Sequence, residues 1–330
     1  MTLVEKAITR LAPFLHTTPI VSSMQLNSML GHNIIFKAEA LQKTGSFKVR
    51  GALNHLLYLK ENNQLPSAVV AYSTGNHGIA TAYCAKILGI KARIYLPYNT
   101  AEIKQYQASI HGAEVIITES RIEAEARTRE DGNNGYYYLH PSDSDKTIEG
   151  NATLLYEAVK QYNGNIDAVF ASCGGGGLLS GCYLAKQELQ LSAKIIGIEP
   201  EVANDAYISR SSGEIFRFNN SPDTIADGLT ALGISKRTFD YIKKLDDFIL
   251  VREDSIKYWT IWLMHLLKIL CETSCAASMA GAYEWLKNQS PNKNILVIIS
   301  GGNIDPAVLS ELNRGDYLLH KLEDLEKGFR

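Results

Sequence analysis

Short runs of β-branched and apolar residues recur along nearly the whole chain, most of them followed by a helix-length segment. This alternation restricts the fold more than any other feature. Strands are predicted at Asn33–Lys37, Val69–Ser73, Ala92–Leu96, Glu114–Thr118, Tyr136–Leu139, Ala168–Ser172, Ile195–Glu199, Phe248–Val251 and Ile295–Ser300. Between many of them, Asn76–Leu88, Ala101–His111, Ile148–Tyr162 and Leu178–Leu189 carry apolar residues three and four apart, the helical spacing. Strands that are apolar on both faces and joined through helices imply parallel βαβ units with both sheet faces covered, an α/β fold.

A chain of 330 residues exceeds the usual single domain of roughly 150. No Gly/Ser-rich linker divides it. Polar, turn-rich stretches at Glu61–Ser67 and His140–Thr147 bracket four strand-helix alternations. The expected arrangement is a small domain at 68–144 inserted in a larger one built from 1–67 and 145–330. The tail Tyr317–Arg330 reads as an exposed amphipathic helix whose charges are solvated.

Charge removes several function classes. Lys and Arg number 33 against 35 Asp and Glu, so nothing attracts nucleic acid or an acidic membrane surface. The greasiest stretch, Tyr258–Leu270, is too short to span a bilayer and contains Thr260, His265 and Lys268. Five cysteines, an odd and sparse set, argue against a secreted disulfide framework, and Glu5, Lys6 and Arg10 interrupt any signal-peptide core. A cytoplasmic setting is expected.

Four motifs carry chemistry. In Lys37-Ala-Glu-Ala-Leu-Gln-Lys-Thr-Gly-Ser-Phe-Lys48-Val-Arg50, a Gly-Ser pair enters a helix whose first turn holds Lys48. The positive helix end disfavours its ammonium form, and a lysine must be neutral to attack a carbonyl. Alone, it is equally a solvated helix residue. Ser73-Thr74-Gly75-Asn76-His77 joins a strand to a helix, with Thr74 or Asn76 available as N-cap and backbone N–H groups suited to a carboxylate. Cys173-Gly174-Gly175-Gly176-Gly177-Leu178 can point several N–H groups at one phosphate, but lacks both the GxGxxG and the GK[ST] patterns. Ser300-Gly301-Gly302-Asn303 ends a buried strand, where ligands of parallel sheets bind.

In this order and spacing the motifs resemble the fold-type II pyridoxal-phosphate enzymes, tryptophan synthase β-like, and specifically the serine/threonine dehydratase and serine racemase branch. The resemblance runs from His16-Thr-Thr-Pro19 through Thr224-Ile-Ala-Asp-Gly228 to Asn303. It implies two three-layer α/β/α domains with mostly parallel sheets and pyridoxal 5'-phosphate as cofactor. It implies Lys48 as the Schiff-base lysine and base, Phe47 against the ring, and Asn76 at the ring 3'-oxygen. Gly174, Gly175, Gly176, Gly177 and Leu178 are implied at the phosphate, Gly228 at the ring edge and Ser300 at the pyridine nitrogen. A neutral serine there holds no pyridinium proton as a carboxylate would, which suits elimination. Ser73, Thr74, Gly75, Asn76 and His77 are implied to bind the substrate carboxylate in the smaller, mobile domain. Glu199, the Ala203 carbonyl and Asp205 match the branch's Mg²⁺ or Ca²⁺ site, since hard cations take oxygen ligands.

The implied reaction is α,β-elimination of L-threonine or L-serine to 2-oxobutanoate or pyruvate and ammonia, by a homodimer. The alternatives are an amino-acid racemase, a hydroxyaspartate dehydratase, or a cofactor-binding paralogue without turnover. Racemisation needs a second acid/base, and Thr74 stands where racemases of the branch resemble serine; its extra methyl restricts χ1. Glu149-Gly-Asn-Ala152 and Glu272-Thr-Ser-Cys-Ala276 depart from the branch pattern and are expected near the cleft. Cys173 and Cys275 are expected as small buried fillers. The chain ends about one helix beyond Ser300, where no regulatory domain for feedback is expected.

Overall fold

The computed structural model describes residues 1–322 and 324. Its strands are β1 (Ile20–Ser22), β2 (Asn33–Ala38), β3 (Ala68–Tyr72), β4 (Lys91–Pro97), β5 (Glu114–Thr118), β6 (Tyr137–Tyr138), β7 (Ala168–Ser172), β8 (Lys194–Pro200), β9 (Asp247–Val251) and β10 (Asn294–Ile299). They form two sheets, a six-stranded one in the order β1-β2-β10-β7-β8-β9 and a four-stranded one in the order β5-β4-β3-β6. Every pairing is parallel except β1 with β2. The α/β class with mostly parallel sheets therefore holds. The chain leaves the larger sheet after β2, builds the smaller sheet, and re-enters at β7.

The larger sheet is covered twice because its strands are apolar at every position. In β10, Ile295, Val297 and Ile299 join one buried cluster with Trp259, Met279 and Tyr283, from helices Glu253–Leu267 and Thr273–Leu286. Leu296 and Ile298 point the other way, into a cluster with Leu154, Leu155, Leu179 and Cys182, from helices Asp145–Gln161 and Gly177–Leu189. That is the period-two alternation of a strand buried on both faces. Each fully buried aliphatic side chain contributes about 1.5–3 kcal/mol, so two such layers dominate stability.

Polar groups buried under this sheet set the entry to the helix Lys48–Glu61. Arg50, 1% exposed, bonds Glu39 and Glu157, both at 2.7 Å, and Lys37 Nζ reaches Glu157 at 3.0 Å. The cluster ties that helix to β2 and to Asp145–Gln161. The segment 149–152 corrects an expectation. It packs behind the site, with Glu149 paired to Lys146 at 2.7 Å and Asn151 donating to the Gly177 carbonyl at 3.1 Å. All five cysteines are buried and free, Cys173 and Cys275 among them. At the C-terminal end a single 3-10 turn, Tyr317–Leu319, replaces the start of the expected amphipathic helix, while Glu323 and 325–330 lie outside the described residues.

Candidate active site

The carboxyl ends of β2, β3, β7 and β10 face a cavity of about 480 Å³ between the two sheets. It is lined by Phe47, Lys48, Ser73, Thr74, Asn76, His77, Gly174, Gly175, Gly176, Gly177, Leu178, Gly228 and Ser300. Of the residues expected at cofactor and substrate, all but Gly75 line it.

Lys48 is the first residue of its helix, half-buried, with its open side on the cavity. Its Nζ lies 4.9 Å from the Phe47 ring centroid. Its pKa falls from 10.5 to about 8, first because the amine is enclosed by protein and second because Arg121 adds positive charge nearby. The helix end invoked from sequence is thus joined by a neighbouring guanidinium that the sequence did not reveal.

The turn after β3 differs from its sequence reading. Neither Thr74 nor Asn76 caps the helix Asn76–Leu88: the N-cap is Gly75, with φ +145° and no side-chain bond. Thr74 Oγ1 donates to the Asp227 carbonyl at 3.1 Å, and Ser73 Oγ accepts from the Gly75 N–H at 2.9 Å. A Cβ on Gly75 would collide with the Lys104 side chain, which crosses over the turn. The first N–H groups of the helix, on Asn76 and His77, have no acceptor among the described residues and remain open to an anion. His77 Nε2 meets the Leu139 carbonyl at 2.8 Å, so it carries the proton; burial drives its pKa to about 3, leaving a neutral ring. Asn76 donates to Glu272 at 2.8 Å and accepts from Asn303 at 2.8 Å.

The glycine turn after β7 leads into Gly177–Leu189. Gly176 sits at φ +78°, and a Cβ there would lie 2.9 Å from Thr238 Cβ. A Cβ on Gly174 would lie 2.9 Å from the Gly228 carbonyl oxygen. Close packing therefore gives these glycines a reason that ligand binding alone had supplied in the sequence reading. The Gly177 and Leu178 N–H groups have no acceptor among the described residues, which fits a phosphate at the start of this helix.

Sequence reasoning missed a charged wall opposite the glycine turn. Lys104, Arg121, Glu125, Arg129 and Arg217 line the cavity, together with Glu272. Lys104 Nζ pairs with Asp227 at 2.5 Å and with Glu272 at 3.7 Å. Glu125 holds Arg129 at 2.8 Å and Arg217 at 2.7 Å. Arg121 and Glu125 follow the carboxyl end of β5, so the rule used for Ser300 was the available signal.

The expected cation ligands lie outside this cavity, behind the glycine turn. Glu199 and Asp205 are fully buried carboxylates. Glu199 accepts from the Ala206 and Tyr207 N–H groups at 3.2 and 2.9 Å, while both Asp205 carboxylate oxygens lack a partner. Burial raises both carboxyls, Asp205 to about 7, and the neighbouring charge raises Glu199 further. Two buried acids with unpartnered oxygens beside the Ala203 backbone fit a hard cation completed by water. Among the described residues no cluster of three or more His, Cys, Asp or Glu side chains forms a metal site.

A parallel-sheet fold with an activated lysine between two open helix N-termini defines a class of enzyme that handles an anionic carbonyl cofactor. The comparisons make that class specific: residues 11–301 match the family described as pyridoxal-phosphate dependent enzyme, and the chain belongs to it. It is 36% identical to a serine racemase of Dictyostelium discoideum over 314 residues, 94% of this chain and 96% of that protein. It is 34% identical to the L-threo-3-hydroxyaspartate ammonia-lyase of Saccharomyces cerevisiae, over 91% of each. Among solved structures it is similar to maize serine racemase (33% identity, TM-score 0.87, 96% of this chain and 98% of that one). It is also similar to a bacterial-type threonine deaminase described as from T.th. (34% identity, TM-score 0.86, 92% and 98%). The relatives thus favour the racemase and hydroxyaspartate alternatives over the threonine/serine dehydratase expected first.

Proposed function

We propose that this protein is a pyridoxal-phosphate-dependent amino-acid racemase with accompanying ammonia-lyase activity, acting on a small β-hydroxy amino acid. The observation that carries the reading is Lys48, an amine held near neutrality in one cavity with both anion-ready turns. When bound, pyridoxal phosphate supplies the electron sink that makes the substrate Cα proton acidic. The Gly174–Leu178 turn would hold its phosphate, Phe47 and Gly228 would flank its ring, and Asn76 and Ser300 would meet its ring oxygen and nitrogen. The Asn76 and His77 N–H groups, with Ser73, Thr74 and Gly75, would orient the substrate carboxylate. Lys48 Nζ would take the Cα proton. Thr74 Oγ1 is the second proton carrier that racemisation requires.

The unit 68–144 would move against 1–67 with 145–330, excluding water from Lys48. Lys104–Asp227, Thr74–Asp227 and Glu125–Arg217 already cross between them. Glu199, the Ala203 carbonyl and Asp205 would hold Mg²⁺ or Ca²⁺ as a structural support for the glycine turn, which Cys173 precedes. The family leads us to a cytoplasmic homodimer. No helix among the described residues is long and apolar enough to cross a membrane.

A second reading, dehydration of L-serine or L-threonine without racemisation, is favoured by Thr74. Its hydroxyl is committed to the Asp227 carbonyl and its methyl crowds the turn. Incubation of the cofactor-loaded protein with L-serine, followed by chiral analysis and a pyruvate assay, separates the two. D-serine with pyruvate is expected; pyruvate alone selects the second reading. Absence of both, with no visible cofactor absorption, would remove the enzyme reading.

A further inference from the structure

The charged wall is almost completely neutralised, and its exception is informative. Lys104 is paired with Asp227 and Glu272, and Arg129 and Arg217 share Glu125. Arg121 has no carboxylate partner among the described residues. Its Nη1 donates to Thr230 Oγ1 at 3.2 Å, and its Nε is buried without any acceptor.

Its position is fixed from two sides. The guanidinium carbon lies 5.5 Å from the Tyr72 ring centroid. Thr230 Oγ1 gives its own proton to the Asp227 carbonyl at 3.0 Å, so it can only accept from Arg121. That carbonyl also accepts from Thr74 Oγ1 at 3.1 Å. A relay of hydroxyls therefore sets Arg121 beside Thr74, at the turn assigned to the substrate carboxylate. Arg121 also lines the adjoining cavity of about 310 Å³, together with Thr74 and Thr230.

The two anions common to every substrate of this reaction class are already served. The phosphate has the Gly177 and Leu178 N–H groups, and the α-carboxylate has those of Asn76 and His77. Serine and threonine bring no third anion. A guanidinium with a buried, unsatisfied Nε is costly unless an acceptor arrives, and a carboxylate meets its planar fork with two parallel bonds.

We propose that Arg121 is the specificity-determining residue of this site and binds a second carboxylate on the substrate side chain. The preferred substrate class is then a β-hydroxy dicarboxylic amino acid. This rests on the reaction proposed above and narrows its substrate.

The test uses the cofactor-loaded full chain, its Arg121→Leu variant and its Arg121→Lys variant. Turnover of L-threo-3-hydroxyaspartate and of L-serine is measured as kcat/KM, and binding of succinate and butyrate as a rise in thermal midpoint. The wild type is expected to prefer the dicarboxylic substrate and to be protected by succinate rather than butyrate. Arg121→Leu should lower kcat/KM for hydroxyaspartate roughly 10- to 100-fold, the size of a charge-assisted bond, and leave serine unchanged. Arg121→Lys should recover part of the loss. Equal losses on both substrates would assign Arg121 to the shared α-carboxylate and overturn the proposal. Loss of visible cofactor absorption in Arg121→Leu, or a wild-type preference for serine, would overturn it too. Should neither amino acid react, the reaction reading fails by itself, and succinate protection that disappears in Arg121→Leu still supports dicarboxylate recognition. Without that protection, both fail.

Discussion

The cavity has a floor and a wall of opposite construction. The floor, Gly174–Leu178 after β7, offers backbone N–H groups and no charged side chain. The wall is made of Lys104, Arg121, Glu125, Arg129, Arg217 and Glu272, long side chains in ion pairs that cross between the two sheets. A floor of backbone can hold one anionic group whatever the substrate. A wall of interlocked charges is sensitive to single substitutions and is where substrate choice resides. The contrast separates what makes the chain a member of its family from what makes it particular.

The sharpest way to break this division is Lys48→Ala. It should abolish the visible cofactor absorption and lower turnover by at least about 10²–10⁴-fold, the usual contribution of a positioned acid-base group. Retained absorption would mean that another amine, Lys104 being nearest in kind, does its work.

The support beneath the floor comes next. Addition of Mg²⁺ or Ca²⁺ should raise the thermal midpoint, by about 2.7 kcal/mol of stability at a hundredfold excess over Kd, and chelator should reverse it. In Asp205→Asn the response should vanish. A midpoint indifferent to both cations would leave the buried acid pair without a ligand. Stability should then fall as pH rises through about 7, because Asp205 is held protonated in the fold but ionises in the unfolded chain.

A smaller effect is expected from Gly176→Ala, because a side chain at φ +78° costs about 1–2 kcal/mol and its Cβ meets Thr238. Cofactor affinity should fall about tenfold, while the ratio of kcat/KM between amino acids stays as it was. A changed ratio would show that floor and wall are not independent.

The mildest test is pH. With Lys48 near 8, capture of pyridoxal phosphate by the apoprotein should quicken as pH rises toward 8 and level off above it, since only the neutral amine reacts. Removing Arg121 should move that midpoint upward, because its charge is part of what disfavours the ammonium. Stopped-flow absorbance across pH 6–10, for wild type and Arg121→Leu, measures both.

The larger part of the fold was legible because parallel strands buried on both faces leave continuous apolar runs. Ala168–Ser172 and Glu114–Thr118 have the same limits in sequence and structure. β1 was not legible: three residues, Ile20–Ser22, paired antiparallel at an edge, give too short a pattern. Tyr136–Leu139 contracts to the two-residue β6 for a related reason, since it too is an edge. Both βα turns of the site were visible as punctuation between a strand and a helix. The wall was not, because Arg121, Glu125 and Arg129 are spaced four apart on Arg121–Asn133, the pattern of a solvated helix face. Only tertiary placement turns that face inward over the cavity.

The order of the strands has a consequence for how the protein is made. β10 lies between β2 and β7, so the penultimate stretch of the chain completes a sheet whose neighbours were synthesised far earlier. Lys48, the glycine turn and Ser300 reach one another only when that strand inserts. A nascent chain lacking it should capture no cofactor, so the vitamin-derived group is recruited only by finished molecules. Such long-range insertion also predicts slow, late maturation, with cofactor uptake reporting its final step.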